Sequence, residues 1–172
     1  MAHSVELLFD QGTEAAIRQQ WTALAEAGLP SQARHTSPSN RPHVTLVAAG
    51  HIDPGVDAAL EEAARRLPLD CLVGAPLVFG RTSLTLARLL VPSGGLLRLH
   101  ESVDASCAPH LPSEPFAHLR PGCWTPHVTL ARRLSPANLP AALEAIDVAE
   151  VAGTFAGLRR WDGDARVDTL IA

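Results

Sequence analysis

The chain has 172 residues, 47% of them hydrophobic, and a formal charge of −4. Its length predicts one domain, 1–172, of two lobes sharing a core, and its negative balance excludes a protein that grips long nucleic acid over a broad basic surface, because such binding is largely phosphate neutralisation. All 14 basic residues are arginine, which rules out a P-loop lysine, a Schiff base and a lysine adenylated by ATP. No uninterrupted apolar run of about 18 residues occurs, and the opening Met1-Ala2-His3-Ser4 lacks the pattern of a secretion signal. A soluble, cytoplasmic monomer without membrane contact is expected. Cys71, Cys107 and Cys123 form no CxxC pair and are odd in number, so free thiols are expected rather than a disulfide framework.

In chain order, Val5–Phe9 reads as a strand and Glu14–Ala27 as a helix, with Ala15, Ile17, Trp21, Leu24 and Ala25 on one stripe. The proline-bounded stretch Pro30–Pro42 reads as a loop. It leads into Pro42-His43-Val44-Thr45-Leu46, a β-branched run with strand character. Val56–Leu67 has helical periodicity, Leu69–Phe79 and Ser83–Val91 read as strands joined at Gly80-Arg81-Thr82, and Leu96–Ala108 reads as a helix. A second proline-rich loop, Pro109–Gly122, precedes Pro126-His127-Val128-Thr129-Leu130. That pentapeptide is identical to the first, and its surroundings repeat as well. A helix over Ala137–Ile146 follows, then strands over Glu150–Leu158 and Arg166–Ile171. The predicted class is α+β, a bilobal duplication.

Side chains alternate along a strand, so His43 and Thr45 share one face while Val44 and Leu46 share the other, and likewise in the second copy. Packing needs only the Val and Leu face. Two similar lobes related by an approximate two-fold would therefore bring two imidazoles and two hydroxyls together. Imidazole has an ordinary pKa near 6.5, so one histidine can accept a proton while the other donates one, a division of labour suited to opening a cyclic phosphodiester. Thr45 and Thr129 are candidate donors to the phosphate oxygens, and neither a metal nor another cofactor is needed. If the strands continue, Arg41 and Arg133 fall on the faces of their histidines and become candidate substrate contacts.

The paired motifs resemble the signature of the 2H phosphoesterase superfamily, two copies of H-x-[ST]-x, and within it the 2′-5′ RNA ligases and RNA 2′,3′-cyclic phosphodiesterases. The resemblance implies two small antiparallel sheets with helices outside and an active-site cleft between the lobes. It implies His43 and His127 as acid and base, Thr45 and Thr129 as phosphate ligands, and a metal-free reaction at a 2′,3′-cyclic or 2′-5′ linkage. The partner implied is an RNA end or a nucleotide. Two alternatives stay open: a nucleotide- or RNA-end-binding module without turnover, and a cyclic phosphodiesterase for a small non-RNA nucleotide.

With no tyrosine in the chain, stacking on a base falls to Phe9, Phe79, Phe116, Phe155, Trp124 or Trp161, most of them core candidates. Trp124, beside the second motif, is the candidate substrate contact among them. His3, His51, His100, His110 and His118 show no HxH or HExxH spacing and read as structural or surface residues. His35, in the loop entering the first motif, is retained as a candidate substrate contact. Gly94-Gly95 opens a predicted helix and reads as a turn, and Arg159-Arg160 as a solvated pair.

Overall fold

The computed structural model describes residues 2–172. Among them are strands β1 (His3–Phe9), β2 (His43–Ala49), β3 (Leu69–Phe79), β4 (Leu84–Leu90), β5 (His127–Leu134), β6 (Val151–Asp162) and β7 (Val167–Leu170). The helices are α1 (Gln11–Glu26), α2 (Asp57–Ala64), α3 (Gly94–Cys107) and α4 (Leu139–Ala145). Local chemistry sets their ends. The Asp10 carboxylate accepts the Thr13 N–H at 3.0 Å to start α1, and Ser93 Oγ accepts the Leu96 N–H at 3.2 Å to start α3. Gly80 turns the β3–β4 hairpin at φ +93°, where a Cβ would lie 2.5 Å from the Ser83 carbonyl oxygen. Ile17, Trp21 and Leu24 form the buried stripe of α1, and every residue of β1 is buried.

All strand pairs are antiparallel. The sequence predicts two small sheets, but the strands form one continuous set in the order β1-β2-β5-β4-β3-β6-β7, with a further β1–β6 pairing that closes six of them into a ring. The reason is the length of β6. Its first residues pair with β3, from Val151↔Val73 to Phe155↔Leu69, and its later ones pair with β1, from Phe155↔Phe9 to Trp161↔Ser4. The other junction is a single residue pair, Val44↔Val128, between the two motif strands.

The extra length of β6 also corrects the expectation for Arg159-Arg160. Both are buried, at 3% and 6% exposure. Arg159 donates Nε–H to Glu6 Oε2 at 2.8 Å and Nη1–H to Asp168 at 3.1 Å. Arg160 holds both carboxylate oxygens of Asp57, at 2.6 and 2.9 Å. A charge pair that looks solvated in one dimension is thus absorbed by carboxylates from distant segments.

Arg88 on β4 is fully buried. Its guanidinium donates to the carbonyls of Gly74, Asp147, Val148 and Ala149 and to Gln20 Oε1, at 2.6–3.2 Å. It ties β3, β4, α1 and the α4–β6 connection together. Arg88→Leu should leave four carbonyls without donors and lower unfolding free energy by about 3 kcal/mol or more, read by urea denaturation. Arg88→Lys should recover only part, since an ammonium cannot reach so wide a fan of acceptors.

Candidate active site

The Val44↔Val128 pair, extended one residue each way, sets His43 across from Thr129 and Thr45 across from His127. Opposed side chains on one face lie about 4.5–5.5 Å apart at Cβ. In both motifs the histidine and threonine are partly exposed and the valine and leucine buried, which is the alternation of a strand with one face in the core. The four polar side chains occupy one patch.

Both imidazoles are anchored alike. Nδ1–H of His43 donates to the Arg41 carbonyl at 2.7 Å, and Nδ1–H of His127 to the Thr125 carbonyl at 2.8 Å. A carbonyl can only accept, so each bond assigns the proton to Nδ1 and leaves Nε2 for proton exchange. The strands are braced across the halves too. Trp124 Nε1–H donates to the Thr45 carbonyl at 3.1 Å, and Trp21 Nε1–H, from α1, to the Thr129 carbonyl at 3.0 Å. The Trp124 ring stacks on His100 at 4.0 Å, and His100 Nε2–H is shared between the carbonyls of Leu46 and Leu119.

The surroundings of the two histidines differ. His43 Nε2 lies 3.6 Å from Oε1 of the buried Glu6. His127 packs against the Phe79 ring at 4.7 Å. Burial pushes its imidazole down from the ordinary value; the Thr125 hydrogen bond opposes this, while the charges of Arg132, His118 and His43 add to it. Those couplings place His118, from the loop before β5, and Arg132 within electrostatic reach of His127.

The remaining sequence candidates are dispersed. Arg41 donates Nε–H and Nη2–H to Glu14 Oε2 at 3.0 and 2.7 Å, so its charge is matched there. Arg133 leaves the strand alternation: it adopts φ +58° within a register shift between Leu84↔Leu134 and Leu86↔Ala131. This bulge leaves Arg132 as the arginine coupled to His127. His35 is exposed on its loop, and its carbonyl accepts from Asn40 Nδ2 at 2.9 Å. Trp124 serves as a brace, with one ring face taken by His100. Of the aromatic candidates, Phe9 and Phe155 are core, whereas Phe116 is 42% exposed. Glu6, Arg159, Arg132 and His118 are the neighbours that sequence reasoning missed. The one available signal was a carboxylate inside the apolar run Val5-Glu6-Leu7-Leu8.

Among the described residues, His3, His51 and Asp164 offer ligand atoms within 4.8 Å of one another, the chemistry of a metal site. They cluster where β1 pairs with the far end of β2, His3↔Ala49, remote from Leu8↔His43, and play no part in the patch.

The chain belongs to the 2′-5′ RNA ligase superfamily, whose family model matches residues 13–165. Its fold is similar to that of TT0787 of Thermus thermophilus, at 21% identity and TM-score 0.59 over 100% of this chain and 96% of that one. Kluyveromyces marxianus Usb1 with uridine monophosphate aligns at 14% identity and TM-score 0.56, covering 99% and 97%. E. coli LigT complexed with 3′-AMP aligns at 16% identity and TM-score 0.51, covering 98% and 91%. No curated protein matches the sequence. Among the described residues no helix is long and apolar enough to cross a membrane.

The titration of this region predicts a pH effect on stability. Burial pushes both His100 and His127 below the ordinary histidine value, so the unfolded chain binds their protons more readily. Their contribution is whole above the unfolded value near pH 6.5 and is lost as pH falls through it. The thermal midpoint should therefore drop between about pH 7.5 and 5.5, before the carboxylates titrate, and His100→Gln should flatten part of that slope. A midpoint constant over the interval would contradict the assignment.

Proposed function

We propose that the chain is a metal-independent phosphodiesterase that opens 2′,3′-cyclic phosphates or cleaves 2′-5′ linkages of nucleotides or RNA ends, with His43 and His127 as its acid–base pair. The single observation that carries this reading is the pairing of two identical HxT strands at Val44↔Val128, which sets both imidazoles and both hydroxyls on one accessible face. Each Nε2 is available for proton exchange, and the Thr45 and Thr129 hydroxyls can donate to non-bridging oxygens as charge builds on phosphate. One imidazole activates the attacking oxygen, the other protonates the oxygen that leaves, and the transfers require no cation. The net negative charge and the small patch favour a nucleotide or a chain end over a long duplex. Nucleotide-bound structures of Usb1 and LigT, proteins of similar fold, agree with that substrate class.

The purified chain should turn over members of a panel of 2′,3′-cyclic mononucleotides in the presence of EDTA. His43→Ala and His127→Ala should each lower kcat by about two to four powers of ten, without multiplying in the double variant. Thr45→Val and Thr129→Val should lower the rate while both limbs of the pH profile persist. Single histidine variants that keep the parental rate would overturn the reading, as would turnover abolished by EDTA and restored by zinc.

A further inference from the structure

At the start of β1 the fold gathers two imidazoles and two carboxylates from three separate parts of the chain. His3 is the first residue of β1 and pairs with Ala49, the last of β2. His51 stands two residues beyond that strand, next to the fully buried Ile52. Asp164 lies in the turn between β6 and β7, where Asp162 Oδ1 accepts the N–H groups of Asp164 and Ala165, each at 2.9 Å. The His3 and His51 rings are 4.6 Å apart and tilted by 59°, and ligand atoms of His3, His51 and Asp164 all lie within 4.8 Å of one another. His3 Nε2 is 3.2 Å from Asp164 Oδ2 and 3.3 Å from Asp162 Oδ1.

The buried imidazole is the telling member of this group. His3 is 1% exposed, and among the described residues its Nδ1 is the one buried side-chain nitrogen or oxygen without a hydrogen-bond partner. Such a nitrogen is costly in either tautomer, as a donor without an acceptor or an acceptor without a donor. The other ring nitrogen meets two carboxylates at once, and a single N–H cannot serve both well. Packing does not call for this residue. Two positions on, Val5 occupies the same face of β1 and fills its place with a fully buried apolar side chain.

We propose that His3, His51 and Asp164 bind a divalent cation of the zinc class, with Asp162 supplying a second negative charge beside it. Two imidazole ligands disfavour magnesium and calcium, which take oxygen, whereas imidazole together with carboxylate suits zinc. Ligands about 2.0–2.1 Å from a tetrahedral ion stand roughly 3.4 Å apart, close to the 3.2 and 3.3 Å separating His3 Nε2 from the two carboxylate oxygens. On binding, the cation takes the place of the proton between His3 Nε2 and Asp164, and that proton passes to solvent. His51, exposed at the rim, completes a three-residue set, and the fourth position faces water. The ion joins β1 to the end of β2 and to the β6–β7 turn, on both sides of the strand that closes the ring. His3 lies roughly 17 Å along β1 from Leu8, the residue paired with His43. The cation is therefore a clasp on the fold and takes no part in the proton transfers proposed above.

The test uses the whole chain without an affinity tag, stripped with EDTA, dialysed and titrated with zinc chloride by calorimetry near neutral pH. One zinc should bind per chain, and zinc at about a hundredfold above Kd should raise the thermal midpoint by about 5 °C or more. Cobalt(II) should give the visible absorption of a four-coordinate ion, and zinc should displace it. His51→Ala and Asp164→Asn alter exposed side chains, so the fold is not at risk, and each should weaken zinc binding by about tenfold or more. The chain carrying both should lose the midpoint rise. The His43→Ala/His127→Ala chain, which lacks the other pair of neighbouring imidazoles, should bind zinc as the parent does. No saturable binding by the parent at micromolar zinc would overturn the site. So would binding that the His51 and Asp164 substitutions leave unchanged, or binding that disappears with His43 and His127. None of these readouts involves turnover, so they bear on the cation alone.

Discussion

The pairing of Val44 with Val128 is the contact on which the site depends. Other neighbouring strands in the ring share longer ladders, but the two motif strands meet at one residue pair, and a shift of one position in either would turn its histidine and threonine into the core. What holds so short a junction in register lies outside it. Trp124, from the loop before β5, binds the carbonyl of Thr45 on β2, and Trp21, from the first helix, binds that of Thr129 on β5. Each motif strand is thus held by an indole from the other half of the chain. Trp124, which the sequence offers as a substrate contact, is used here to brace the strand that carries the other histidine.

Beneath the motif the two halves cease to be alike. The duplication supplies two equivalent histidines with equivalent Nδ1 anchors, and the asymmetry comes from elements unrelated by the repeat. One is the first strand, which brings Glu6 to His43. The others are the bulge in β5 and the preceding loop, which bring Arg132 and His118 to His127. A symmetric scaffold can hold two identical groups at one place. What surrounds the two rings differs in charge and in burial.

Much of this was legible in one dimension. The repeated pentapeptide, the alternation of its side chains and the helical periodicity depend on neighbours close in sequence, so the strands, the helices and the histidine–threonine patch could be read directly. What could not be read depends on pairing partners far away. Arg159-Arg160 looks solvated until Asp57, Glu6 and Asp168 are known to surround it. Arg133 shares the face of His127 in an unbroken strand, and only the facing strand β4 reveals the bulge that removes it. Two sheets become one ring because β6 runs past the end of β3 and finds β1, a matter of register rather than composition.

The same strand has a bearing on how the chain is made. β1 is buried throughout, with β2 along one edge and β6 along the other, and its carboxylate at Glu6 finds its guanidinium 153 residues later. During synthesis an apolar strand with an unpaired charge must therefore wait until β6 has been made before its second edge is covered. Contacts this distant are slow to form and leave sticky intermediates exposed meanwhile. The histidine–threonine patch can assemble from β2 and β5 before that, but the ring around it closes only once β6 has been made.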